Sequence, residues 1–135
     1  NTNRMRWDCD THGCFNKKHR LQFGSLEDAL PGNRAITDVD ALTECYGNGL
    51  LIEWKSAGEQ LGGGQRIAYQ KLTRGRMLTV FYVTGDASEM KPEQFVAIID
   101  GQFSKPVKAD LARLKLAISN WAEWSRNNPR FGRAG

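Results

Sequence analysis

The feature that most constrains this chain is an apolar run that ends in charge. Leu50-Leu51-Ile52 leads straight into Glu53-Trp54-Lys55, inside the stretch AITDVDALTECYGNGLLIEWKS from Ala35 to Ser56. A continuous apolar run of this length is typical of a strand buried on both faces. Such a strand does not end in a carboxylate and an ammonium unless something compensates them. Either Glu53 and Lys55 form a buried salt bridge or their charges have a task. Upstream, Asn48-Gly49 favours the positive φ of hairpin turns, so Tyr46 to Gly49 reads as a turn and Ala35 to Cys45 as the partner strand. Side chains alternate along a strand, so Asp38 and Asp40 point one way together, as do Glu53 and Lys55. Pairing of the two strands brings carboxylates from both, and one ammonium, onto a single patch. Carboxylates are hard oxygen donors suited to Mg²⁺ or Mn²⁺. Two like charges as close as Asp38 and Asp40 also stay ionised more readily beside a cation. A lysine at such a patch can orient or deprotonate a water, which is the equipment for metal-assisted hydrolysis of a phosphodiester.

The same residues resemble the signature of the PD-(D/E)XK nuclease superfamily, an Asp at one strand followed by Glu-x-Lys at the end of the next. Here those are Asp38 or Asp40 and Glu53-Trp54-Lys55. Gln65-Arg66-Ile67-Ala68-Tyr69 resembles the Gln-x-x-x-Tyr helix motif of the RecB-like exonuclease branch. TDVDAL followed by LLIEWKS is similar to small phage-encoded members and to Holliday-junction resolvases, and the likeness covers roughly residues 25–85. A bare Glu-x-Lys carries little weight; the ordered set carries much more. The resemblance implies a restriction-endonuclease-like core and a divalent-metal-dependent deoxyribonuclease. Asp40 and Glu53 would be the metal ligands, with Asp38 as a supporting or second-metal carboxylate. The choice between the two aspartates stays open: Asp38 suits the resolvase wording, while Asp40 has the shorter gap to Glu53 and is preferred. Lys55 would align or activate the attacking water, and Gln65 would help place the phosphate. Arg66, Tyr69, Lys71 and Arg74 would lie along the nucleic acid, although a core aromatic is the plainer role for Tyr69 alone and the basic residues equally suit a solvated face. A helix before the hairpin can contribute a Glu in such nucleases; Glu27 is the candidate, and a solvent-facing helix residue is the plainer reading. A catalytically silent nuclease fold that only binds nucleic acid or protein is the alternative.

Charge distribution fits a phosphate-binding surface beside an acidic site. Residues 1–20 carry five Lys/Arg against two Asp/Glu, residues 21–55 two against six, and residues 56–135 twelve against seven, so an acidic segment is framed by basic ones. The net charge of +4 would equally suit a moderately basic surface with no partner. With 135 residues the chain is long enough for one core and not two. No apolar run approaches the roughly 20 residues that span a bilayer, and no signal-peptide pattern opens the sequence, so no membrane partner is expected. The expected location is the cytoplasm of a bacterial or, by resemblance, phage-infected cell. Oligomeric state is open, a homodimer included.

Residues 1–24 read as a basic arm that includes Cys9, His12, Cys14 and His19. These are ligand types for structural Zn²⁺, although a one-residue gap between His12 and Cys14 is tight. Two reduced thiols in a turn-rich arm, or a Cys9–Cys14 redox pair, are the other readings. An odd total of three cysteines argues against a disulfide framework, and Cys45 reads as a buried or turn-flanking thiol. Residues 25–125 make the nuclease-like domain. In it Ser25 caps a short helix ended by Pro31-Gly32, and Glu44 is a solvated strand-end residue. The Gly62-Gly63-Gly64 loop lacks the Gly-Lys-Ser/Thr ending of a P-loop. A helix from Gln65 to Arg74 turns Ile67, Ala68 and Leu72 inward. A strand over Met77–Val83 then lies parallel to the Glu53 strand through a crossover, with a further strand at Phe95–Ile99. Lys105-Pro106 opens a last helix with Leu111, Leu114, Ala117, Ile118 and Trp121 on its core face. Residues 126–135, with Arg126, Arg130, Arg133 and Phe131, read as a basic tail, either a DNA-touching arm or a plain flexible terminus. The expected architecture is α/β: a mixed sheet of four or five strands flanked by helices.

Overall fold

The computed structural model describes residues 22–32 and 34–131. Cys9, His12, Cys14, His19 and Arg133 therefore lie outside the described residues. The chain falls into two compact units that divide between Asp38 and Val39.

Among its described residues the first unit contains one short helix, α1 (Gly24–Glu27), whose N-cap is Phe23 and has no side-chain capping bond. Ser25 thus lies inside the turn instead of capping it. Glu27 Oε2 accepts from the backbone N–H of Ile36 at 2.6 Å, so this carboxylate fastens its own segment. Residues 34–39 form no strand.

The second unit is α/β. Its strands are β1 (Ala41–Cys45), β2 (Asn48–Lys55), β3 (Leu78–Asp86), β4 (Lys91–Ile99), β5 (Gln102–Phe103) and β6 (Val107–Lys108). They form one mixed six-stranded sheet in the order β1-β2-β3-β4-β5, with β6 also paired to β4. With the short β5 and β6 the sheet has six strands, one more than the upper end of the expected four or five. β1 and β2 are an antiparallel hairpin, β2 and β3 are parallel, and β3 and β4 are antiparallel. The parallel pair is joined by α2 (Gly63–Leu72), as the crossover predicts, and α3 (Leu111–Asn127) follows β6.

Alternation along β2 decides the layers. Leu51, buried with Leu61, Tyr69, Val80 and Ile98, makes the core beneath α2. Leu50 packs with Phe81, Val83, Phe95, Leu114, Ala117 and Trp121 beneath α3. β2 is therefore covered on both faces, which its unbroken apolar run requires.

Several local expectations give way. β1 starts at Ala41, so neither Asp38 nor Asp40 is a strand residue. The hairpin turn is Tyr46-Gly47, both at positive φ (56° and 85°), while Asn48 and Gly49 already belong to β2. Asn48 is fully buried, and its amide is needed elsewhere. Its Nδ2 donates to Asn128 O at 3.0 Å, and its Oδ1 accepts from Arg130 Nε at 2.6 Å. Arg130 also donates through Nη2 to Gly75 O at 2.6 Å, and its backbone N–H donates to Tyr46 O at 2.8 Å. The segment read as a basic tail is thus docked through residue 130. On α2, Ile67 and Leu72 are 55% and 59% exposed and Ala68 is exposed too; Tyr69 is the residue that faces the core. α3 begins at Leu111, capped by Asp110, whose Oδ1 accepts from Arg113 N at 2.9 Å. Lys105-Pro106 precedes β6 instead, and Leu111 is exposed.

Candidate functional site

The hairpin register pairs Ala41 with Ile52. Continued by one residue, it sets Asp40 opposite Glu53. The link is direct, because the backbone N–H of Trp54 donates to Asp40 Oδ2 at 2.7 Å. Asp40 therefore reaches the end of β2 from just outside β1, as a cap on the strand end. Asp38 ends the first unit, exposed and outside any strand; the group described here lies wholly in the second.

Glu53 is only 5% exposed. A carboxylate at that depth has to be compensated. Tyr69 donates its hydroxyl to Glu53 Oε2 at 3.0 Å, and Lys55 Nζ lies 3.7 Å from Glu53 Oε1. Lys55 belongs to the same face two residues on, with its side chain 27% exposed, so its ammonium spans buried carboxylate and solvent. Tyr69 is 6% exposed, a core aromatic as its residue type alone suggests, and has no ring face to offer a base. Its position on α2 is what puts the hydroxyl above β2. Gln65 sits one turn earlier on the same helix face, in the first turn of α2, and is partly exposed.

Tyr82 was not picked out by sequence reasoning. It pairs with Glu53 across the parallel strands, and adjacent residues share a face. Its hydroxyl donates to Glu59 O at 2.6 Å. Burial, then the negative charges of Glu59 and Glu53, hold its phenol above the ordinary range. Register arithmetic between β2 and β3 was the available signal. Trp54 points to the opposite face, where its Nε1 donates to Gly85 O at 3.0 Å.

Among the expected DNA contacts, Arg66 and Lys71 lie exposed on α2 and Arg74 just beyond it. The Arg66 guanidinium stacks 4.3 Å from the centroid of Phe103. Arg76 stacks on Trp124 at 3.9 Å. Glu44 closes the hairpin turn by accepting from Gly47 N at 2.7 Å.

The donor set suits a hard cation, since it offers two carboxylates at one strand end with solvent access through Lys55. Mg²⁺ characteristically takes few protein carboxylates and keeps waters. Among the described residues no group of three or more His, Cys, Asp or Glu converges to hold a metal. No helix among them is long and apolar enough to cross a membrane. Compared with family models, curated proteins and solved structures, the chain matches none.

Proposed function

We propose that this protein is a divalent-metal-dependent nuclease that hydrolyses phosphodiester bonds in DNA, built on a restriction-endonuclease-like core of the PD-(D/E)XK type and acting in the cytoplasm. The observation that carries the reading is the meeting of Asp40 with the end of β2, where Glu53 is buried and Lys55 follows on the same face. Asp40 and Glu53 would hold Mg²⁺ or Mn²⁺. Such a cation supplies Lewis-acid polarisation of the phosphoryl group and access to a nucleophile at neutral pH.

The chain's own residues do the rest. Tyr69 fixes Glu53 by its hydrogen bond, leaving the carboxylate one orientation. The Trp54 N–H does the same for Asp40. Lys55 aligns the attacking water, and its proximity to Glu53 keeps the ammonium over the reacting centre. Gln65 and the backbone N–H groups at the start of α2 receive the phosphate, because a helix N-terminus favours an anion. Arg66, Lys71 and Arg74 contact the DNA backbone away from the cut.

One observation favours a second reading. Tyr69 and Lys55 already compensate Glu53, and Trp54 N–H already engages Asp40. A silent fold that binds nucleic acid or protein would need nothing more. Cleavage of labelled single-stranded, duplex and four-way-junction DNA, with Mg²⁺, Mn²⁺ or EDTA, separates the two. The nuclease gives metal-dependent products that vanish in Lys55→Ala. DNA binding with no cleavage under any metal replaces it with the silent fold, and cleavage indifferent to Lys55→Ala refutes the site.

A further inference from the structure

On the α3 face of the sheet, away from Glu53 and Lys55, a pocket of about 280 Å³ opens between β3, β4 and α3. Three of the residues that line it each hold a buried polar atom without a hydrogen-bond partner: Thr79 Oγ1, Trp121 Nε1 and Arg76 Nε. Thr79 and Trp121 are 1% and 5% exposed, so bulk solvent does not serve them. A buried donor left unpaired costs more than a typical hydrogen bond contributes, and native structures seldom leave one so. Indole and guanidinium nitrogens are donors only, and the threonine hydroxyl can donate as well. What they lack is an acceptor.

The charge of the wall has one sign. Arg76 and Arg113 line it, and no aspartate or glutamate does. Apart from the polar Ser104 and Asn120 and the residues already named, the lining is apolar and aromatic, with Phe81 and Phe95 at a 5.3 Å centroid separation and tilted by 43°. Arg113 lies 5.7 Å from the Phe95 centroid, over the same ring. The volume sits near the lower bound of about 300 Å³ for small-molecule sites. That is room for one ring system and an acid group.

We propose that this pocket binds a small planar organic anion, its ring against Phe81 and Phe95 and its carboxylate or phosphate on Arg76, Arg113, Trp121 and Thr79. The site is independent of the nuclease reading, because alternation along β3 puts Thr79 and Phe81 on the face opposite Tyr82. Ordered water is the competing occupant, since it too can satisfy polar atoms in a roomy site.

Isothermal titration of the 135-residue chain with indole-3-carboxylate, with thymidine 5′-monophosphate and with inorganic phosphate tests this. The expected result is saturable one-to-one binding of at least one planar anion and none of phosphate alone. The tighter of the two planar anions identifies the acid group as carboxylate or phosphate. Arg113→Gln and the near-isosteric Thr79→Val should each weaken binding about tenfold, corresponding to roughly 1.4 kcal/mol, while Lys55→Ala leaves it unchanged. Circular dichroism melts check that each variant is folded. Absence of saturation with both planar anions overturns the proposal, as does binding that survives both pocket substitutions. A Thr79→Val variant that melts higher in a chain that binds neither anion identifies a water site.

Discussion

At the scale of the residue, Glu53 decides most of what surrounds it. A carboxylate 5% exposed at a strand end is held by a phenol from α2 and an ammonium from its own strand. Tyr69→Phe keeps the ring packing and removes the hydroxyl. Hydrogen bonds to charged groups contribute about 1.5–3 kcal/mol, so the urea midpoint should fall by that equivalent with an unchanged slope. If the nuclease reading holds, cleavage should fall too. Tyr82 makes the pH prediction. Its phenol is held above the ordinary value by burial and by Glu59 and Glu53. A raised folded pKa means the stabilisation is complete below the unfolded value, near 10, and is lost as pH rises through the folded one. Tyrosinate absorbance should include a Tyr82 component that titrates late, and stability should drop above pH about 10. In Tyr82→Phe that late component and its share of the alkaline drop should both be missing.

Among elements, the β1–β2 hairpin shows both what the sequence states and what it hides. The apolar run, its two-sided burial, the parallel crossover to β3 and the approach of Asp40 to the end of β2 follow from local pattern. The turn does not. Asn48-Gly49 is a strong turn dipeptide, yet Asn48 is spent as a buried side chain bonded to Asn128 and Arg130, some eighty residues away. No local rule can see that demand, and the turn moves back to Tyr46-Gly47. Alternation continues past Ala41 through Asp40 and Asp38, although strand pairing does not. Tyr69 has both a core ring and a polar hydroxyl, and the core role its residue type favours is the one it takes, while Ile67 and Leu72 nearby look like core residues and are exposed. Gly47 gives the element-scale test. At φ 85°, a Cβ there would also come within 2.8 Å of Arg130 Cβ. Gly58 has nearly the same φ, 86°, and open space around it. Gly58→Ala should therefore cost about 1–2 kcal/mol from backbone strain alone. Gly47→Ala should cost clearly more in the same thermal melts, and the difference measures the docked chain behind it.

For the second unit as a whole, residue 130 is the clasp. Its guanidinium and backbone join the hairpin turn, the start of β2 and the chain between α2 and β3. Arg130→Ala leaves the fully buried Asn48 short of a partner, a loss of about 1–3 kcal/mol. Hydrogen exchange should then quicken at Tyr46, Asn48 and Gly49 before the β3–β4 core. Arg130→Lys should not restore protection, because a single ammonium cannot reproduce the planar fork. The clasp also has a consequence in time. Chains emerge at about 5–20 residues per second, and 82 positions separate Asn48 from Arg130. The ribosome thus delivers the hairpin on the order of several seconds before the residue that fastens it. During that interval the nascent hairpin can pair and unpair, and the strand end that carries Glu53 gains its final rigidity only once translation has passed residue 130.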